Sequence, residues 1–258
     1  MPAPVRRSVE ARDVLLLFSG GSDSTLAAVR AYEKFETVRL VTFLREGLIH
    51  AEHVEERVAR LRRFMGDAGA YAHRFIRTDR LFERILYDDY LGNLRRHGTL
   101  VLSHCGLCKL AFHWRALLLC LEQGIRNVWD GAVRTAQVYP EQNETILLGP
   151  LRELYALYGI RYECPVYEEG ASVSESLCAI GFHRAPAKGT AEDRQLICTQ
   201  QVLFAMFLRW SLPKGTFADY ERSLAGFYRS KIELVRAWTD EWLAAGGGAS
   251  RLGPLIES

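Results

Sequence analysis

The stretch that decides the fold is SGGSDST at residues 19–25, which lies between an apolar run and a segment of helical composition. Residues 14–18 (VLLLF) are continuously apolar, as expected for a strand buried on both faces of a parallel sheet. Residues 25–35 (TLAAVRAYEKF) favour a helix. A glycine-rich loop between a buried strand and a helix is typical of a phosphate site, because the amides at a helix N-terminus attract anions.

The residue types in this loop fit that chemistry. Glycines allow the backbone to approach a phosphate closely, and the Ser and Thr hydroxyls are hydrogen-bond donors. Asp23 is a candidate for holding Mg²⁺ near a pyrophosphate group. The loop has no Lys of the Walker A type, which excludes a P-loop kinase or GTPase.

Strand and helix patterns alternate along the rest of the chain. Further strands are predicted at residues 38–43, 73–76 and 127–129. Further helices are predicted at residues 52–68, 81–96 and 109–123. This order predicts an α/β fold with a doubly wound parallel sheet. We expect a main domain at residues 1–205, a C-terminal helical extension at 206–245 and a flexible tail at 246–258.

Composition excludes several classes of protein. Hydrophobic residues make up 48% and charged residues 25% of the 258 residues, which is ordinary for a globular protein with a real core. No run approaches the roughly 18 apolar residues of a membrane span, and no signal peptide is recognisable, so we expect a cytoplasmic protein without membrane contact. The net charge of +2 does not by itself indicate a nucleic-acid partner.

Two of the six cysteines form a Cys105-Gly-Leu-Cys108 motif directly before the helix predicted at 109–123. A helix start favours thiolates, and the CxxC spacing offers two sulfurs to one zinc ion or iron–sulfur cluster. Cys198 follows much later in the chain as a third candidate ligand, and Cys164 or Cys178 are alternatives to it. Cys120 is expected to be a small buried residue of the helix. His113 is expected to be a polar neighbour of the motif rather than a ligand.

The SGGSDST string resembles the SGGxDS signature of the PP-loop (N-type) ATP pyrophosphatase superfamily, whose fold is adenine nucleotide alpha hydrolase-like. Members split ATP between the α- and β-phosphates, adenylate a carbonyl oxygen and then replace AMP with a nucleophile. The resemblance implies that the pyrophosphate of ATP is bound by Ser19, Gly20, Gly21, Ser22, Asp23, Ser24 and Thr25. It also implies that Thr42 and Phe43 lie by the adenine and that Gly131 belongs to the nucleotide-binding residues.

Together with the cysteines, the loop resembles the iron–sulfur-dependent tRNA thiolation enzymes of the two-thiocytidine and two-thiouridine synthetase type. That resemblance implies a [4Fe-4S] cluster held by Cys105, Cys108 and Cys198, with one iron open to the transferred sulfur. It further implies a sulfurtransferase with ATP and Mg²⁺ as cofactors and a sulfur donor, and it leaves a homodimer open. The stretch at residues 130–137 (DGAVRTAQ) keeps Gly131 but lacks the family's paired acids, so the acceptor is left open between a tRNA base and a small metabolite.

Two other functions remain possible from the sequence. One is an amide- or nitrile-forming ligase similar to the seven-cyano-deazaguanine synthases, in which ammonia is the nucleophile and the cysteines bind Zn²⁺. The other is a nucleotide-binding protein that has kept the loop but lost the chemistry. Turnover of ATP to AMP separates the second from both enzymes, and iron content separates the two enzymes from each other.

Overall fold

A computed structural model describes residues 11–67, 69, 71–98, 104–134, 139–168, 172–183, 196–199, 217–247 and 251–256. Its strands are β1 (Ala11–Leu17), β2 (Phe35–Leu44), β3 (Leu48–Ile49), β4 (Tyr71–Arg77), β5 (Asn127–Trp129), β6 (Arg161–Glu163) and β7 (Ile197–Cys198). The helices before the last two strands are α1 (Ser22–Lys34), α2 (Glu52–Met65), α3 (Asp79–Tyr87), α4 (Tyr90–His97), α5 (His104–Gln123) and α6 (Gly149–Leu157). The remaining helices are α7 (Val173–Ala179), α8 (Phe217–Ala244) and α9 (Gly253–Ile256).

Five of the strands form one parallel sheet in the order β4-β2-β1-β5-β6. The chain winds outward from β1 through β2 to β4 and then returns to β5 on the other side of β1. The prediction of a doubly wound α/β fold is therefore confirmed. In such sheets the order of the strands reverses at one point, here between β1 and β5, and ligands bind outside the carboxyl ends of the strands there.

Helices cover both faces of the sheet, which explains why residues 14–17 of β1 are all apolar. Val14 and Leu16 point into a core formed with α1, α2 and α7. Leu15 points into the opposite core, formed with α3, α5, α6 and α8. All three side chains are fully buried, because successive residues of a strand face opposite sides.

Two details differ from the sequence prediction. The Cys105–Cys108 motif does not precede a helix but forms the first turn of α5. The helical stretch predicted at 81–96 is divided into α3 and α4, because Asp89 adopts a left-handed conformation with φ 45° between them. A single non-glycine residue in that region of φ/ψ space ends one helix and redirects the next.

The described part of the C-terminal segments packs against the main body. Helix α8 occupies most of the expected extension, and Leu224, Phe227 and Val235 of this helix belong to the core. Leu252 in the expected tail is 1% exposed, and Arg80 donates a hydrogen bond to the carbonyl of Pro254. None of the helices in the described ranges is long and apolar enough to cross a membrane.

Candidate functional site

The loop predicted to bind phosphate connects β1 to α1 at the point where the strand order reverses. Gly20 has φ +78°, and a Cβ there would come within 3.3 Å of the Cα of Val54, so both the turn and the close approach of α2 require glycine. Gly21 is the N-cap of α1 and has no side chain to cover the first amides of the helix. The first turn of α1 is thus suited to an anion.

The hydroxyl groups of the loop hold its shape. Ser24 Oγ and Thr25 Oγ1 both donate hydrogen bonds to the carbonyl of Gly21, at 3.1 Å and 2.7 Å. Ser19 Oγ lies 3.2 Å from Ser24 Oγ. These contacts fix the peptide groups around the turn, which is a supporting role that the sequence prediction did not assign to Thr25.

The end of β5 lies directly against the start of α1. A Cβ on Gly131 would come within 2.6 Å of the backbone nitrogen of Ser24, a distance that real Cβ atoms do not reach. The structure therefore places Gly131 against the loop and gives the reason why this position is glycine.

A cavity of about 390 Å³ opens at this edge of the sheet, within the range of small-molecule sites. The predicted nucleotide residues that line it are Ser19, Gly21, Asp23, Ser24, Thr42, Phe43 and Gly131. The other predicted loop residues, Gly20, Ser22 and Thr25, do not line the cavity. Most of the predicted loop residues therefore face one common space.

Thr42 and Phe43, near the end of β2, form one wall of the cavity. Thr42 Oγ1 donates a 2.6 Å hydrogen bond to the carbonyl of Phe18 and lies 2.9 Å from His73 Nε2. The Phe43 ring stacks on that of Phe112, with ring centroids 5.6 Å apart and planes at 16°. This wall presents a rigid aromatic surface next to the loop.

The three predicted ligands Cys105, Cys108 and Cys198 line the same cavity. The first two come from the first turn of α5, and Cys198 comes from β7, whose antiparallel pairing with β3 places it opposite Leu48. Cys164 and Cys178 do not contribute to the lining, and Cys178 belongs to α7 on the other face of the sheet. Cys120 is 1% exposed within α5, as predicted for a small core residue.

The surroundings of Cys105 and Cys108 raise the pKa of both thiols. A hydrogen bond with Cys198, followed by burial, raises the pKa of Cys105 well above its ordinary value. Burial raises the pKa of Cys108 to about 12, although Arg45 Nε donates a 3.3 Å hydrogen bond to its sulfur and opposes the shift. The neighbouring thiol of Cys198 and burial thus favour the protonated form of these thiols in the metal-free protein, in opposition to the helix dipole. Cys105 and Cys198 are close enough to share a hydrogen bond, so the spacing of the thiols alone selects no metal.

One charged element of the site was missed by the sequence prediction. Lys109 Nζ lies 2.8 Å from Asp130 Oδ2, with both side chains largely buried. Asp130 also accepts hydrogen bonds from His113 Nε2, Tyr162 Oη and the amide of Ala132. Burial alone would raise the pKa of Asp130, but Lys109 and His113 outweigh it and hold the pKa well below the ordinary value.

This network places a positive charge at the cavity. Asp130 is ionised and can only accept, so Nε2 of His113 carries the ring proton and His113 acts as the polar neighbour that was expected. Burial lowers the pKa of His113 against the opposing effect of Asp130. Lys109 lines the cavity beside the cysteines. The only feature of the sequence that could have identified it as a site residue is its position directly after Cys108.

Glu141 was also missed. It lies in a short 3₁₀ helix (Pro140–Gln142), lines the cavity and is 9% exposed. Its Oε2 atom is buried and has no hydrogen-bond partner among the described residues. Burial raises the pKa of Glu141 to about 7, with Lys109 opposing the shift. No local pattern separates this Glu from a surface residue, because its burial comes from segments far away in the chain.

The sequence matches no protein-family model, and no curated protein matches it. Among solved structures, the chain is similar to a protein described as a predicted subunit of tRNA methyltransferase from Methanocaldococcus jannaschii. The identity is 22%, the match covers 65% of this chain and 74% of that one, and the TM-score is 0.40. It is also similar to an NMN synthetase from Francisella tularensis, with 14% identity over 87% of this chain and 86% of that one and a TM-score of 0.39.

Proposed function

We propose that this protein is a PP-loop ATP pyrophosphatase that adenylates a carbonyl oxygen of a tRNA base or small metabolite and replaces that oxygen with sulfur. The observation that carries the proposal is the common cavity. Cys105 and Cys108 on α5 and Cys198 on β7 face the same space as the SGGSDST loop, although they lie in distant parts of the chain. A nucleotide site and a sulfur site are therefore adjacent.

The phosphate loop binds the part of ATP that leaves. Amides at the start of α1, next to Gly21, donate hydrogen bonds to the β- and γ-phosphate oxygens, and Asp23 would hold Mg²⁺ beside them. The Ser24 and Thr25 hydroxyls keep the Gly21 carbonyl turned away from these anions. Amides fixed in advance stabilise charge that develops on pyrophosphate as the α–β bond breaks.

Thr42 and Phe43 orient the other end of the nucleotide. The Thr42 hydroxyl is already engaged with the carbonyl of Phe18, so this residue fixes the wall rather than donating to adenine. The ring of Phe43, supported by Phe112, gives an apolar surface for the base.

Lys109 contributes a positive charge to the cavity, next to the cysteines. Asp130 fixes its ammonium group, so the charge is in place before the substrate binds. A positive charge here stabilises the α-phosphate oxygens while the acceptor oxygen attacks phosphorus.

Glu141 acts as the general base that accepts a proton from the acceptor substrate. An amide-type carbonyl that attacks through oxygen must lose its neighbouring N–H proton, and the unpartnered Oε2 atom of Glu141 is placed to accept it. A carboxyl with a pKa of about 7 is matched to proton transfer near neutral pH.

We infer that the three cysteines hold a [4Fe-4S] cluster, which is supported by their common cavity and by the resemblance of the loop and the CxxC motif to the iron–sulfur-dependent thiolation enzymes. When bound, such a cluster offers one iron without a protein ligand, to which the sulfur for transfer can attach. Cys105, Cys108 and Cys198 hold it in this proposal, and Arg45 beside Cys108 stabilises the ligand in its thiolate form.

The first test is to purify the protein without oxygen and to measure iron, acid-labile sulfide, zinc and the visible spectrum. About four irons per chain are expected, lost in Cys105→Ala and Cys198→Ala but retained in Cys120→Ala. Cys120 is the matched control, because it lies on the same helix and is buried outside the cavity. One zinc and no iron would contradict the sulfurtransferase and favour the ammonia-using ligase.

A second measurement tests the proposed reaction with ATP. The acceptor is not identified, so ATP alone is incubated with the protein and the release of AMP and pyrophosphate is followed. Slow release that disappears in Asp23→Asn supports the proposal. Binding of ATP without AMP formation, in the presence of cell extract as a source of acceptor, would indicate the non-catalytic nucleotide-binding protein.

A further inference from the structure

A second group of potential metal ligands lies outside the cavity, where the chain enters α2. One ligand atom from each of His50, Glu52 and His53 lies within 4.8 Å of the others, and no other set in the described ranges does so. His50 Nδ1 is 3.1 Å from Glu52 Oε1, and His53 Nε2 is 4.0 Å from the same oxygen. The two imidazole rings are nearly parallel, with centroids 5.3 Å apart and planes at 21°.

These distances suit a single ion. Zinc binds imidazole nitrogen and carboxylate oxygen at about 2.0–2.2 Å, so tetrahedral ligand atoms stand about 3.4 Å apart. The two distances to Glu52 lie on either side of this value.

The backbone adopts an unusual conformation to bring the side chains together. His50 has φ 68°, one of two non-glycine residues with positive φ in the described part of the chain. The conformation is held by a 3.2 Å hydrogen bond from the amide of His53 to the carbonyl of His50. Residues in this region cost about 1 kcal/mol or more, and they cluster at sites that bind ligands.

A fourth residue orients one of the rings. Glu56 Oε2 lies 3.5 Å from His53 Nδ1, a buried nitrogen without a hydrogen-bond partner in the described residues. A proton on Nδ1, on the side of Glu56, would leave the lone pair of Nε2 facing Glu52. This arrangement, in which a carboxylate orients a ligating histidine, is the usual support of metal sites.

We propose that His50, Glu52 and His53 form a binding site for a divalent transition-metal ion of the zinc class, with Glu56 orienting His53. Two nitrogens and one oxygen leave a coordination position open, and the exposure of His50 and Glu52 makes this position accessible from solvent. The site adjoins the phosphate loop, since Val54, which directly follows His53, is the residue against which Gly20 packs. It is independent of the three cysteines and of the function proposed for them.

The test is a calorimetric titration of the whole protein with Ni²⁺, an ion that imidazole ligands suit. His50→Asn removes the ring but keeps a residue that tolerates positive φ, so the turn is preserved. Glu52→Gln removes the carboxylate charge, and Glu55→Gln is the matched control, an exposed acid on the same helix outside the cluster.

Wild type and Glu55→Gln are expected to bind one more equivalent of Ni²⁺ than His50→Asn and Glu52→Gln. Glu56→Gln is expected to lower the affinity for this additional Ni²⁺ ion by about 10-fold or more. The same difference must persist in a Cys105→Ser background, which separates it from binding by the thiols. Equal stoichiometry and affinity in wild type, His50→Asn and Glu52→Gln would overturn the proposal, as would loss of the difference when Cys105 is replaced.

Discussion

The ammonium nitrogen of Lys109 lies 2.8 Å from Oδ2 of Asp130, and this buried ion pair joins the first turns of α5 to the end of β5. The pair holds one wall of the cavity at the point where the strand order of the sheet reverses. His113 and Tyr162 bind the same oxygen, so three side chains fix the position of the carboxylate. The carboxylate in turn fixes the position of the Lys109 ammonium group.

Lys109→Met is expected to lower the free energy of unfolding by about 3–5 kcal/mol, because it leaves the Asp130 charge buried without its partner. Chemical denaturation monitored by circular dichroism measures this. The double variant Lys109→Met/Asp130→Asn should regain part of the loss, since the uncompensated charge is then also removed. Additive losses in the double-mutant cycle would show that the two side chains are not coupled. AMP formation should be abolished in both variants.

Gly131→Ala is expected to weaken ATP binding by at least 10-fold and to destabilise the fold by about 1–3 kcal/mol. Its Cβ would stand 2.6 Å from the Ser24 nitrogen, so the start of α1 must move. Gly226→Ala is the control, because a Cβ there meets nothing within 4 Å on an exposed face of α8. That variant should gain about 0.5–1 kcal/mol and bind ATP as wild type does. Unchanged ATP affinity in Gly131→Ala would contradict the close packing.

Glu141→Gln should change how the stability of the metal-free protein depends on pH. Folding raises the pKa of Glu141 from its ordinary 4.5 to about 7, so the folded state favours the neutral carboxyl. The contribution of Glu141 to the free energy of unfolding is fully present below about pH 4.5. It is lost as the pH rises through 7, by on the order of 3 kcal/mol. The Gln variant lacks this loss, so its advantage over wild type should grow between pH 5 and 8 in urea titrations. Parallel curves for the two proteins would show that Glu141 titrates normally.

Cys108 in the metal-free protein should react slowly with iodoacetamide, because its thiol has a pKa of about 12 and only the thiolate attacks. The rate should rise about 10-fold for each pH unit between 7 and 9, while the thiolate fraction remains small. Mass spectrometry of the peptide that contains Cys108 measures this rate. A reaction at pH 7 as fast as that of an unstructured cysteine peptide would mean that the helix start activates the thiol after all.

The sequence alone determined the parts of the molecule that depend on local patterns. The continuous run at residues 14–18 predicted a strand buried on both faces, and β1 has that position in the middle of the sheet. The glycines of the next segment predicted the loop before α1. Strand β5 was placed at its observed bounds, and the break at Asp89 was missed because a single left-handed residue leaves no periodic signal.

The tertiary structure decided which distant residues share the cavity. Sequence spacing left Cys164, Cys178 and Cys198 as alternatives, and only the antiparallel pairing of β7 with β3 brings Cys198 to the cavity that Cys105 lines. The partner of Lys109 and the burial of Glu141 were equally invisible, since both depend on chain segments that meet only after folding. Hydrophobic periodicity reports which face of an element is buried, whereas the charge and the pKa of a site residue are set by neighbours that lie far away in the sequence.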